Sequence, residues 1–315
     1  MGNKINNKKK KNSSQIIEEN NLSEISFADM VNFLINSNKS KRVKGDKYWK
    51  LKSVGDHEWM FVEPLELDPV YDDFDIACEL IEQGSISQAE KLFRDVIHKA
   101  PLHIDAIHHL AIILDGTGKS EEARQLWNEG VEIGRSAFSK KFESGDHLDW
   151  GWLENRPFLR CLDGLAIRTL EDGDIDKAKS MFEELLSFNP NDNQGVRELI
   201  IEIYLEQNDL KKALDLCKKY PDDFLVGISY GYPLILFKMG KQKQASKAVN
   251  KVIKKSPKVA KELLKKSHKK PQSKIPGYIS VGEWDEAYNY WKRYGKFWDE
   301  NTLEWLKRVI NKSLK

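Results

Sequence analysis

Ala89 is followed 34 residues later by Ala123, and the surroundings repeat with it. Gly84 is matched by Gly118, Leu80 by Leu114, Ala77 by Ala111 and Phe93 by Trp127. A fixed period that returns the same residue sizes at the same offsets means one supersecondary unit used repeatedly. Inside the unit, apolar residues fall at helical spacing on both sides of the glycine: Phe74, Ala77 and Leu80/Ile81 before it, Ala89, Phe93 and Val96/Ile97 after it. Gly84 permits the positive φ of a helix end, and Pro101 cannot continue a helix. The predicted unit is a helix–turn–helix pair. One such pair cannot bury its own apolar face, so neighbouring pairs must stack.

The period then breaks. The next matching alanine is Ala178, and the extra residues lie at 137–157, a stretch carrying Phe138, Phe142, His147, Trp150 and Trp152. This aromatic insert is either a functional loop or a loop whose tryptophans pack on neighbouring helices. The spacing resumes over 158–257 as three further pairs, marked by Ala178/Phe182/Pro190, Ala213/Cys217/Pro221 and Ala245/Val249/Pro257. Residues 258–315 read as a Lys-rich helix followed by a degenerate unit around Gly282, Ala287 and Trp291, with Leu303, Trp305, Leu306 and Ile310 as a capping helix. Ahead of the repeats, residues 1–22 form a basic tail too polar to order itself. Residues 23–70 read as an N-terminal segment forming a small α/β cap. It has helical spacing at Phe27, Met30/Val31 and Leu34, and a strand or hairpin within Tyr48–Leu67 whose aromatics are expected to cover the open end of the first repeat.

Composition agrees with long solvated helices: 32% charged residues and 10 prolines. The formal net charge of +2 gives no whole-molecule attraction to nucleic acid. Cys78, Cys161 and Cys217 are widely spaced and odd in number, which predicts reduced thiols in a reducing compartment. No apolar run is long enough to span a membrane, and the expected location is cytoplasmic.

Large and small residues in the first helix, Gly before the second, Ala five residues on, an aromatic four later and Pro eight further resemble the tetratricopeptide repeat. Ala89…Phe93…Pro101 and Ala178…Phe182…Pro190 match best. Other units are worn: Arg135 stands for the closing Pro in the second, Ile201 for the small residue in the fourth and Pro233 in the fifth. The resemblance implies an all-α solenoid whose first helices line a concave groove, and a non-catalytic protein-binding function without cofactors. It places Phe74, His108, Asp163, Glu198, Glu202, Glu206 and Tyr230 in that groove. A groove acidic at units three and four and apolar at its ends suits a basic partner segment with apolar anchors. The family's use in holding an acidic C-terminal tail needs basic groove residues, and Glu198 and Glu202 stand there instead. The alternative is that the insert or the N-terminal segment covers several of these positions.

Two further features point elsewhere. Residues 251–274 hold ten lysines and one acid, Glu262. On one helix, Lys254, Lys258, Lys261, Lys265 and Lys266 would form a stripe for an anionic surface, nucleic acid or the acidic units of another copy. Missing arginines and interleaved aromatics count against nucleic acid. His98, His103, His108 and His109 cluster in sequence but lack the i, i+4 spacing of a metal site, so none is expected. An enzyme built from the N-terminal segment and the insert around His147 is the remaining alternative; no phosphate-binding loop or nucleophile motif supports it.

Overall fold

The computed structural model describes residues 48–272 and 279–313, all within one compact unit. The basic tail and the helix expected at Phe27–Leu34 lie outside the described residues. The chain begins with an antiparallel hairpin, β1 (Lys50–Gly55) and β2 (Glu58–Val62), in the register Leu51 opposite Phe61. A 3₁₀ turn at Leu65–Val70 leads into the helices. Five pairs follow: α1 (Tyr71–Glu82) with α2 (Ile86–Lys99), α3 (Ile104–Gly116) with α4 (Ser120–Arg135), α5 (Arg156–Glu171) with α6 (Ile175–Phe188), α7 (Arg197–Glu206) with α8 (Leu210–Lys219), and α9 (Val226–Lys238) with α10 (Gln242–Lys255). The short α11 (Pro257–Leu263), α12 (Trp284–Tyr294) and α13 (Glu300–Ser313) close the chain.

The same backbone device joins the helices of every pair. Ser85, Lys119, Asp174, Asp209 and Lys241 each donate their N–H to the carbonyl five residues earlier, the closure of a helix end in the Schellman manner. That closure needs a left-handed residue. Gly84 supplies it at φ 74°, and in the fourth unit Asn208 does so at φ 54°. Behind the turns, Ala89, Ala123, Ala178, Ala213 and Ala245 are all fully buried. A methyl group there lets paired helices approach while Phe93, Trp127 and Phe182 fill the space between pairs. The worn fourth unit is compensated from its neighbour. A Cβ on Gly231 would lie 2.7 Å from Ile201 Cδ1, so the bulky residue on α7 is met by none on α9.

The hairpin expected within Tyr48–Leu67 forms, and Trp49 just before it donates its indole N–H to Leu102 O, between the first and second pairs, at 2.7 Å. The hairpin packs against the insert. Trp59 donates its N–H to His147 O at 3.0 Å, and His147 donates to His57 O at 2.6 Å. Asn155, fully buried, accepts from Phe61 N at 2.9 Å and donates to Trp59 O and Asp149 O at 3.0 and 3.1 Å. Phe61 meets Phe138 and Phe158, and Phe138 meets Phe142 and Phe188, in one aromatic cluster. The hairpin's apolar face needs cover, and the phenylalanines of the insert supply it. Residues 137–157 are thus mostly a packed support. Trp152 stays well exposed, and Trp150 lies under the guanidinium groups of Arg156 and Arg160.

Candidate interaction site

The first helices of the pairs, α1, α3, α5, α7 and α9, carry the residues expected in the groove. Two of those expectations are corrected by burial. Phe74 stacks on His103 at 4.7 Å and meets Phe93 edge-on, so it belongs to the core of the first pair. Tyr230 is fully buried, donates its hydroxyl hydrogen to Ser256 O at 2.6 Å and lies against Tyr290. His108 accepts the indole N–H of Trp127 at 3.3 Å, and burial pushes it down to about 3, so it is a neutral acceptor at physiological pH.

Glu198, Glu202 and Glu206 do form a row along α7, spaced by four residues. The row meets another part of the same chain. Arg293 on α12 donates to Glu202 at 2.8 and 3.0 Å, and Lys296 reaches both Glu202 and Glu206. Tyr294 donates its hydroxyl hydrogen to Glu198 O at 2.6 Å. Glu198 accepts Gly227 N–H at 2.6 Å. Burial holds its carboxyl above the ordinary value, with the Gly227 bond and Arg293 opposing. A Cβ on Gly227 would come within 2.6 Å of both Glu198 Oε1 and Tyr294 Oη, so only glycine lets the three meet. Tyr290 and Tyr294 are buried on the inner side of α12, and Trp298 donates to Tyr290 Oη. Beyond them Trp305 of α13 stacks on Phe237 and donates to Ser246 Oγ, capping the last pair. The aromatic helix α12, with Arg293 near its end and Lys296 in the turn after it, therefore lies over the acidic row of α7 in cis.

At the other end apolar residues stay exposed among the described residues. Ile112 on α3 and Ile167 on α5 hold the same place in neighbouring helices and are 48% and 38% exposed. Ion pairs flank them. Arg160 spans both oxygens of Asp105 at 3.0 and 3.2 Å, and Arg168 reaches Asp115, Glu171 and Asp172. The adjoining α1 carries Asp72, Asp73, Asp75, Glu79 and Glu82 and no lysine or arginine in its own sequence; Asp73 pairs with Lys99 of α2, and Ile76 is 48% exposed.

Asp163 faces inward on α5. Burial, with Asp192 nearby, pushes its carboxyl up to about 7, and Oδ1 has no hydrogen-bond partner. It does not bring a full charge to the groove at neutral pH. A folded-state pKa raised above the unfolded value of 3.8 means the native state holds the extra proton. The associated stability is present below pH 4 and lost as pH rises through about 7. Asp163→Asn keeps the shape without titrating. The variant should match wild type near pH 4 and exceed it by about 1–3 kcal/mol at pH 8, read from urea unfolding at both pH values. His103 and His108, pushed down to about 4 and about 3, act oppositely: their contribution is present above pH 6.5 and lost on acidification. They are common to both proteins, so the difference isolates Asp163.

The remaining candidates have structural partners. His103 Nδ1 accepts Ala106 N–H and caps α3, and His109 stacks on Phe93. Among the described residues no three His, Cys, Asp or Glu side chains converge as metal ligands. The cleft beside the insert is lined by Asp149, Trp150, Trp152, Asn191 and Asn193, without His147. The lysines expected on one helix are divided, because Ser256 and Pro257 interrupt it. Lys254 lies in the last turn of α10, Lys258 and Lys261 lie on α11, and Lys265 and Lys266 follow it. Lys258 pairs with Glu283, and Lys265 pairs with the buried Glu262 beneath the ring of Trp284. The three cysteines are free, and burial pushes Cys78 and Cys217 up to about 12. No helix of the described residues is long and apolar enough to cross a membrane.

Helix pairs closed by a shared turn, alanines at each crossing and a line of first helices define an α-solenoid of tetratricopeptide type. The chain belongs to the family described as transcriptional repressor TCF25, which matches residues 84–315. No curated protein matches the sequence. Among solved structures the chain is similar to YrrB, a TPR protein with an unusual peptide-binding site, at 13% identity and a TM-score of 0.43 over 59% of this chain and 85% of that one. It is similar to MamA at 14% identity and 0.44, over 62% and 95%. A tetratricopeptide repeat protein from Parabacteroides merdae is 17% identical at 0.45, over 59% and 66%. Sequence reasoning missed α12 on the acidic row. Nothing in the sequence paired Arg293 and Lys296 with glutamates some ninety residues earlier.

Proposed function

We propose that the chain is a non-catalytic protein-binding scaffold that holds a basic partner segment with aliphatic anchors on the open face of α1, α3 and α5. The observation that carries this reading is α12. An aromatic helix lies across α7 and α9, with Arg293 near its end and Lys296 just after it on a row of glutamates. It is an example, within this fold, of how the first-helix face accepts a helix. The open half offers similar chemistry: the acids of α1 supply charge, and Ile112 and Ile167 supply apolar contact. The family's description as a transcriptional repressor fits a scaffold that acts by holding other proteins. Three free cysteines suit a reducing compartment, which describes the nucleus as well as the cytoplasm expected from the sequence.

The test is a comparative pull-down with mass spectrometry using wild type and Ile112→Asp/Ile167→Asp. Both positions are exposed, so the fold and melting temperature should hold while specific partners drop about ten-fold or more. Recovery of the same partners in the same amounts sinks the proposal. Glu198→Lys/Glu202→Lys is a poorer choice, since it would undock α12 and mix folding with binding.

A further inference from the structure

On the outer side of the fourth and fifth pairs lies a cleft between α8, α9 and α10 with a volume of about 570 Å³. That is within the roughly 300–1,000 Å³ of ligand pockets. Its floor is apolar, formed by Cys217, Ile228, Ala248 and Val252. Its rim is basic: Lys218 from α8, and Lys247, Lys251 and Lys255 from α10. The last three continue a row begun by Lys243, spaced by four residues on one ridge of a helix that has five lysines and no acid. Two acids also border the cleft, and both are engaged. Asp223 belongs to Arg197, and Asp222 pairs with Lys251. Lys247 has no ion-pair partner among the described residues, and Lys255 meets only the longer-range field of Asp222.

We propose that this cleft is a binding site for an acidic peptide segment that inserts one aliphatic side chain. Charge chooses the class of ligand: Lys218 pairs with Asp215 and both bordering acids are engaged, so the charges without an ion-pair partner among the described residues are those of Lys247 and Lys255. The floor chooses among anionic ligands. A phosphate backbone would leave four apolar residues uncovered, and of the two tyrosines lining the cleft Tyr220 is engaged, which leaves Tyr232 as a single stacking surface. One face of Tyr220 lies under Arg197, its ring also lies beneath Lys219, and its hydroxyl hydrogen goes to Pro190 O. A flat lipid surface would touch the rim lysines without reaching the floor. An acidic peptide with a leucine between carboxylates meets both. This site is separate from the open face of α1, α3 and α5, and its test does not depend on that reading.

The experiment uses the full chain and fluorescein-labelled dodecapeptides, followed by fluorescence anisotropy. One peptide is Glu/Asp-rich with a central Leu, one replaces Leu with Ser, and one replaces the acids with Lys. A single-stranded DNA oligonucleotide and phosphatidylserine vesicles are parallel arms. The acidic Leu peptide should bind, weaken with salt, and lose about ten-fold in affinity in Lys247→Glu/Lys255→Glu, which leaves the Lys251–Asp222 pair intact. Ala248→Phe, which fills the floor without changing charge, should weaken the Leu peptide about as much. Equal binding of the Leu and Ser peptides overturns the proposal, as does binding unaffected by both variants. Binding of DNA or vesicles without the acidic peptide overturns it too. So does a lysine-dependent doubling of mass by light scattering, which would make a second copy the occupant.

Discussion

Arg197→Met should lose about 3–5 kcal/mol and unfold the middle of the solenoid first. The guanidinium is buried between two buried carboxylates, 2.7 Å from Asp192 Oδ2 and 2.5 Å from Asp223 Oδ2. Each carboxylate also holds backbone. Asp192 accepts the N–H groups of Val196 and Arg197 at the start of α7, and Asp223 accepts that of Leu225 just before α9. One side chain thus ties together the turns that launch two successive first helices. Tyr220 and Phe224 flank it at 5.0 and 5.9 Å. Methionine fills the space but leaves two negative charges buried without their counter-ion, which is where the loss arises. Lysine should recover only part of it, because a single ammonium cannot make the forked bonds to both partners. Urea unfolding gives the magnitude, and hydrogen exchange should show protection lost across α7–α9 before α1–α4, since stability in a stacked array passes between neighbours. A loss below about 1 kcal/mol would show that water reaches the carboxylates.

Asn155→Ala should cost about 2–4 kcal/mol and free the hairpin from the repeats. The amide accepts from Phe61 N–H and donates to the carbonyls of Trp59 and Asp149. Alanine leaves a buried N–H and a buried C=O of β2 without partners, and no regular sheet is at hand to take them. Phe61 lies at the centre of the aromatic cluster, so its displacement should be visible in near-ultraviolet circular dichroism and as faster exchange at its amide. Asn155→Asp retains an acceptor but not the donor and should fall between the two. An unchanged exchange rate at Phe61 in Asn155→Ala would refute the clamp.

Much of the architecture was legible in the chain. The alanines at 34-residue spacing, the turn glycines and the closing prolines report local packing needs that are met within one pair or between neighbours. Such contacts recur, so they leave a period. A strand or hairpin was expected within Tyr48–Leu67. Its location was not legible, because nothing in Tyr48–Leu67 says that the cover for Phe61 comes from Phe138 and Phe158. The candidate site was legible only as far as helix faces. The family resemblance placed Glu198, Glu202 and Glu206 on the first helix of the fourth unit, where they lie in a row along α7. It could not tell Phe74, which turns into the pair, from a groove residue.

By itself the sequence determined a repeat fold, its number of pairs and the side of each helix that is charged or apolar, since these follow from local spacing. Only the tertiary structure decided what covers each face. Arg293 and Lys296 neutralise the acidic row from far along the chain, the insert supports the hairpin, and Ser256 and Pro257 divide the lysine stretch, leaving Lys247, Lys251 and Lys255 beside a cleft. The reason is physical. Helix and turn propensities act over a few residues, whereas contacts between distant segments are chosen once, by shape and charge, and leave no periodic trace.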